Sequence, residues 1–298
     1  MREQDDGRSK PSICGRRVTL TLFGLVITAA FLHAVWNSIA KASDEPELTI
    51  ASYQLVGASI CIIVANWLPL PDASSWPMII GSAIVHNFYY FSLAQAYRSG
   101  DLSQVYPIFR GAAPILVACG AAIFANEFLP IATISGIAFI SLALASLAFR
   151  SATFGAMSTK AIIWAVLTAT LIAGYTIIDG IGVRVSGNPL SYIVWLFIFE
   201  IVPIGFILLI TKRMEWSRYF LENRFELCVG GVASSVAYGL VIYAMSLGPM
   251  AIVSSLRETS VIFAAIIGAV YLREPFGMAR IRAAVMVAIG VIIIRWFG

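Results

Sequence analysis

The sequence predicts an all-α integral membrane protein with ten transmembrane helices, arranged as two inverted five-helix repeats. Three observations carry that prediction. Hydrophobic residues make up 59% of the 298 positions and charged residues only 12%, against about 25% charged in a typical soluble domain. Apolar runs near the roughly 20 residues needed to span a bilayer recur along the whole chain. Two arginines, Arg110 and Arg257, interrupt two such runs, and they lie 147 positions apart (257 − 110), as do the glutamates that follow them, Glu127 and Glu274.

The elements follow in order. Residues 1–17 form a polar tail with five basic side chains. Val18 to Ala40 carries no charge across 23 residues, too long for a signal-peptide core of about 7–15, so it reads as an uncleaved first helix. The remaining spans are expected over 48–68, 76–97, 102–124, 131–149, 161–183, 189–211, 227–247, 250–272 and 279–297. The tenth is uncharged only from Ala283 to Ile294, so Arg282 and Arg295 must extend to the two interfaces. Short connections carry turn residues, as in Asp44-Glu45-Pro46 and Gly187-Asn188-Pro189. The longest loop is the charged stretch Lys212 to Glu226.

The repeat emerges when the chain is slid on itself. Residues 110–127, RGAAPILVACGAAIFANE, align with 257–274, RETSVIFAAIIGAVYLRE, at five identical positions. The arginine and glutamate matches carry the weight, because charges are scarce here. A weaker echo at offset 140 pairs Thr28-Ala29 with Thr168-Ala169. The halves are then 18–150 and 151–298. Five spans is an odd number, so the second half must be inverted, which is a transporter architecture with the substrate site between the halves.

Composition also excludes classes of function. The net charge of +4 comes from basic residues scattered at span ends, where membrane proteins place them, so no nucleic-acid partner is expected. Cys14, Cys61, Cys119 and Cys228 form no C-x-x-C pair and read as small packing residues. No metal, cofactor or nucleotide is expected, since no metal-binding cluster or G-x-x-x-x-G-K-[ST] loop is present. A lipid-modifying membrane enzyme is the rival class, but it needs a catalytic cluster such as H-E-x-x-H, which the chain lacks. Orientation is contested. With the N-terminus inside, the inner face carries seven basic residues and the outer face eleven, from Lys41 to Arg282, so a plain count favours the reverse. The basic tail, with Arg16-Arg17 against the first helix, favours N-inside.

Several strings resemble the EamA family of the drug/metabolite transporter superfamily: LHAVWN (32–37), AYRSGDLSQVYPIFRGAAPILVA (96–118), YTIIDG (175–180) and SLRETSVIFAAIIGAVYLREPF (255–276). So does the order within each half: a small-residue fourth helix, an acid, then a glycine- or alanine-rich fifth helix. The resemblance implies a ten-helix basket with both termini cytoplasmic and two EamA-like repeats. It also implies a cavity lined by spans one, three, four, six, eight and nine, and export of amino acids, drugs or other metabolites, often against protons. Related organellar translocators use basic residues on spans four and nine for phosphorylated anions, and Arg110 and Arg257 fall there. Small multidrug-resistance relatives carry a glutamate on span one, whereas this chain has His33 there and no acid.

Arg110 and Arg257 are the leading candidates. A buried guanidinium either pins helices through carbonyls and acids such as Asp179 or Glu258, or presents its planar fork to a carboxylate, phosphate or phosphonate. Pro107 and Pro114 flank Arg110 and are expected to kink the helix. Glu258 cannot face its neighbour Arg257 on a helix, so it meets Arg110 from the other half or binds a substrate ammonium or a proton. Asp179 either caps a helix break at Gly180-Ile181-Gly182 or touches substrate. His33, Trp36 and Asn37 share one face of span one, and His33 is the candidate for a coupling proton. Within a family-like cavity, His86 and Tyr90 become substrate contacts, with Tyr106 and Pro107 in the lining. Glu200 is expected to be structural or a dimer contact. Glu127 and Glu274 are expected to cap the helices that follow them.

The expected function is secondary active transport, as a proton-coupled exporter of a small amino-acid-like metabolite with an anionic group. The alternative is an organic-anion or phosphonate carrier for uptake or exchange. The expected setting is the cell inner (plasma) membrane, as monomer or homodimer, with the lipid bilayer and a small-molecule substrate as partners.

Overall fold

The computed structural model describes residues 18–41, 43–100, 102–149, 157–270 and 278–297. The basic tail and Glu274 lie outside these. Among the described residues all regular structure is helical: α1 (Leu20–Lys41), α2 (Pro46–Val64), α3 (Trp76–Ser99), α4 (Leu102–Ala125), α5 (Ile131–Phe149), α6 (Thr159–Val185), α7 (Pro189–Thr211), α8 (Arg213–Glu222), α9 (Arg224–Leu247), α10 (Met250–Arg257), α11 (Ser260–Val270) and α12 (Met278–Phe297), with two short 3-10 turns before α3. Every expected span coincides with a helix to within a few residues, except the ninth, which is two helices.

Local chemistry explains where the helices begin. Proline sits in the first turn of α2, α3 and α7, where its missing N–H has no partner to lose. The Ser158 hydroxyl accepts from Ala161 N at 3.2 Å, and Asn188 Oδ1 accepts from Leu190 N at 2.9 Å, so α6 and α7 have side-chain N-caps. Lys212 to Glu226 is no loop. It holds α8, whose Trp216 turns inward and donates from Nε1 to Ser52 Oγ of α2 at 3.0 Å.

Eight spans among the described residues are long and apolar enough to cross a membrane: α1, α2 with its 3-10 extension, α4, α5, α6, α7, α9 and the α10–α11 pair. Their outward surface is studded with large apolar side chains, including Ile63, Phe88, Ile123, Phe124, Leu142 and Phe206. Soluble monomers rarely leave such patches bare, and a lipid-facing surface needs them. The chain is a multi-pass membrane protein. Helices α3 and α12, of 24 and 20 residues, fall outside the eight; α3 is made more polar by His86, Asn87, Gln95 and three tyrosines.

The packing has an internal correspondence. Helix α3 packs on α6 and α1 on α9; α4 packs on α6 and α1 on α10 and α11; α2 packs on α9 and α7 on α3; α2 also pairs with α7, and α5 with α12. Exchanging α1 to α5 with α6, α7, α9, α10–α11 and α12 leaves these pairs unchanged, although α4 packs far more extensively on α5 than α10–α11 packs on α12 among the described residues. At the α5–α12 seam two glycines meet: a Cβ on Gly136 would lie 3.0 Å from the Gly290 carbonyl oxygen, and a Cβ on Gly290 3.0 Å from that of Gly136. Backbones approach this closely only when both side chains are absent.

Helix α4 continues as helix through Pro107 and Pro114, packed tightly against α5, where a Cβ on Gly111 would come within 2.9 Å of the Ser141 carbonyl oxygen. Other expectations are corrected here. Helix α6 runs unbroken through Gly180 and Gly182, which serve close packing: a Cβ there would meet Met250 at 2.5 Å and Tyr192 at 2.5 Å respectively. The echo of Thr28 with Thr168 is not matched in burial, since Thr28 is exposed and Thr168 is buried against Ser92 at 2.8 Å. Of the cysteines described, only Cys61 is buried; Cys119 and Cys228 are exposed.

Candidate functional site

The ninth span breaks at Glu258-Thr259. Helix α10 ends at Arg257, and the backbone continues in tight turns, Glu258 N to Ser255 O and Thr259 N to Leu256 O, each at 3.1 Å. Neither proline nor glycine causes the break. Polar residues at the junction, Glu258, Thr259 and Ser260, are all buried, and non-helical backbone at membrane depth is tolerated only inside protein or beside a cavity.

Arg110 of α4 reaches this break. Its Nε lies 3.0 Å from Glu258 Oε2, its Nη2 donates to Ser260 Oγ at 2.9 Å, and its guanidinium sits 5.8 Å from the Tyr106 ring centre. Glu258 therefore meets Arg110 across the two halves. Arg257, its neighbour in sequence, is 4% exposed and makes no ion pair within 4 Å among the described residues. Arg257 Nε has no hydrogen-bond partner, and neither do Arg110 Nε or the two Glu258 oxygens, because the 3.0 Å contact is poorly aligned. Arg257 lies within hydrogen-bonding reach of Tyr175. His33, Tyr89 and Tyr175 each feel the charge of both arginines, which puts the two guanidiniums in one neighbourhood.

An aromatic group adjoins them. His86 stacks on Tyr175 at 4.0 Å and meets Tyr238 edge-on at 5.4 Å; Tyr175 packs on Tyr89 at 5.5 Å and on Tyr238 at 5.8 Å. His86 Nδ1 lies 3.0 Å from the Ser82 carbonyl, an acceptor, so Nδ1 carries the hydrogen. Asp179, fully buried, accepts from Tyr192 at 3.0 Å and from Tyr238 at 2.5 Å, with the Ser82 hydroxyl also in reach.

The expected residues thus divide. Arg110, Arg257, Glu258, His86, Asp179 and Tyr106 come together, with His33 half-buried beside the arginines. Tyr90 does not join them: its hydroxyl donates to Glu200 Oε1 at 2.9 Å, and Tyr89 is the one that faces the arginines. Trp36 packs edge-on against His33 at 4.9 Å and Tyr53 at 6.2 Å. Asn37 Nδ2 donates back to the His33 carbonyl at 2.9 Å. Pro107 is buried one turn before Arg110. Glu127 caps a helix other than the one that follows it. Its Oε2 accepts from Met250 N at 2.9 Å, starting α10 from 123 positions away, and its Oε1 pairs with Arg184 at 2.6 Å. Tyr89, Tyr192, Ser82 and Ser260 were not singled out from sequence; the one available signal was that Tyr89 adjoins the expected stripe on span three. A groove of about 630 Å³ lies elsewhere, between α2, α7 and α8, and its lining carries no ionisable group.

Comparisons with known proteins agree with this architecture. One solved crystal structure of a protein aligns over 91% of this chain and 95% of its own, with a TM-score of 0.73 at 14% identity, a likeness of fold alone. A comparison with curated proteins finds no match. Residues 159–296 match the model of the EamA-like transporter family. That match runs from the start of α6 almost to the end of α12, so the second half of this membrane protein is similar to the EamA-like transporter family.

Proposed function

We propose that the chain is a proton-coupled exporter of a small amino-acid-like zwitterion, built of ten spanning helices in two inverted halves. The coarser assignment, a membrane transporter of the drug/metabolite type, comes with the family. The finer reading rests on Arg257. A guanidinium that is 4% exposed and lacks an ion partner is costly, because burial removes its hydration. Such a group marks a ligand position more often than a packing position. Two arginines against Glu258 leave one positive charge, which suits a monoanionic carboxylate. In this state Glu258 stands where an acid group would meet Arg110, so substrate takes Arg257 first and competes with Glu258 for Arg110. Asp179, ringed by tyrosine hydroxyls beside the aromatic group, takes the amine. His86 and Tyr89 flank the bound molecule, with Trp36, Asn37, Tyr106 and Pro107 in the lining.

The exchange-invariant packing of the two halves supports the inverted repeat. For orientation, the basic tail supports both termini on the cytoplasmic side of the inner membrane, against the raw count of loop charges. A reporter active only outside the cytoplasm, fused at the C-terminus, tests this, and its activity there reverses the orientation. The transport reading is tested with purified protein in liposomes, offered labelled amino acids and, separately, phosphonates. Saturable amino-acid flux is expected. Flux of phosphonate alone replaces the zwitterion reading with the organic-anion carrier, and no flux of either overturns both.

A further inference from the structure

Four carboxylates buried in the described core stand in different company. Glu258 faces Arg110. Glu127 faces Arg184. Asp179 accepts two tyrosine hydroxyls and has His86 beside it. Glu200, in the middle of α7 and 5% exposed, has no cation within 4 Å among the described residues. Its two donors are neutral, and both reach the same oxygen: Tyr90 at 2.9 Å and Gln54 Nε2 at 3.2 Å, on Oε1. The Asn87 amide donates to the Glu200 backbone carbonyl at 3.1 Å, not to the carboxyl.

We infer that Glu200 is a proton-binding site of the transport cycle, distinct from the arginine site. An ionised carboxylate offers about four acceptor positions and, when buried, needs a cation or a full set of donors. Glu200 has neither. Oε1 carries both hydrogen bonds, which leaves Oε2 to bear the hydrogen of the neutral acid. Proton uptake converts carboxylate to carboxylic acid with no other bond made or broken, while Tyr90 continues to donate to Oε1. The titratable groups facing Glu200 are the Tyr90 hydroxyl from α3 and the Cys61 thiol from α2. From α6, α8 and α9, which also pack on α7, no cation comes within 4 Å of Glu200 among the described residues.

The site is wired to the arginines through rings. Tyr90 lies 5.0 Å from Tyr89, and Tyr89 5.5 Å from Tyr175, the neighbour of Arg257. Gain or loss of the Glu200 charge changes the strength of the Tyr90 hydrogen bond, since a charge-assisted bond is about twice as strong as a neutral one, and so biases the α3 face that lines the site.

This inference rests on the transport reading for its role, but the proton site can be tested alone. Infrared spectra of the purified full-length protein are titrated with pH, and wild type is compared with Glu200→Gln. The expected result is a carboxylic-acid carbonyl band near neutral pH that is absent from Glu200→Gln and shifted in Tyr90→Phe. Identical spectra for wild type and folded Glu200→Gln at every pH overturn the proposal. Should Glu200→Gln fail to fold, Glu200→Asp, which keeps the acid, must move the band; an unmoved band overturns the proposal equally. In liposomes with an internal pH dye, Glu200→Gln should lose amino-acid-driven proton movement while exchange of labelled amino acid persists, and proton movement that survives overturns the coupling role. If the band is present but wild type moves no amino acid, the proton site stands and the substrate reading is what fails.

Discussion

Two arginine–glutamate pairs share this fold and differ in what else each arginine holds. At one end of the helices, Arg184 places Nη1 on Glu127 at 2.6 Å, Nε on the Met245 carbonyl at 2.9 Å and Nη2 on the Gly248 carbonyl at 2.7 Å, and Glu127 caps Met250. The ends of α4, α6, α9 and α10 are tied in one knot. At mid-depth, Arg110 and Glu258 are 3.0 Å apart but poorly aligned, both Glu258 oxygens lack hydrogen bonds, and Arg257 stands beside them unpaired. Glu127 Oε1, like the Glu258 oxygens, lacks an aligned hydrogen bond; the difference lies in the arginines, since Arg184 spends Nε and Nη2 on carbonyls and Nη1 on Glu127, whereas the more deeply buried Arg257 has no ion partner among the described residues and is where a ligand completes the set.

That contrast can be broken by substitution. The largest effect is expected at Arg184. Arg184→Ala leaves Glu127 buried without a cation and frees two carbonyls, for a loss of about 3–5 kcal/mol, read as a lower unfolding midpoint in detergent. A loss no larger than that of a surface variant would erase the distinction between the clusters. Next comes Arg257→Gln, which should leave the unfolding midpoint near wild type while lowering affinity for amino-acid substrate by roughly 10- to 150-fold, the worth of a charge-assisted hydrogen bond of about 1.5–3 kcal/mol. Arg257→Lys should recover only part of it, because a point charge lacks the fork. A folded Arg257→Gln protein with normal flux would place the substrate elsewhere. Smaller still is Glu127→Gln, whose amide oxygen can still accept from Met250 but which removes the anion facing Arg184; because Arg184 is partly exposed and keeps its two carbonyls, a stability loss of about 1–3 kcal/mol is expected, with flux unchanged. Least of all is Arg218→Gln on α8, an exposed partner of Glu222, which should alter neither midpoint nor flux.

How much of this was legible in the sequence depends on the range of the interaction. The apolar segments declare themselves because a spanning helix needs a long run of one composition, whatever it packs against. Arg110 and Arg257 stand out because charge is scarce inside such runs. The break at Glu258-Thr259 was hidden, since neither residue is a helix breaker and the partners that hold it, Arg110 and Ser260, meet only in three dimensions. Tyr90 was favoured over Tyr89 because periodicity groups residues on a face but not which neighbour that face meets. Glu127 was assigned to the nearest helix start, whereas the start it serves is 123 positions away.

The meeting of Gly136 with Gly290 leaves the α5–α12 seam no room for even a methyl group: a Cβ on Gly136 would lie 2.7 Å from Ile294 and one on Gly290 2.5 Å from Ile140. The distance between these two helices is therefore set by backbone and not by the choice of side chain at the crossing, and a change at either glycine is felt by the other half of the pair.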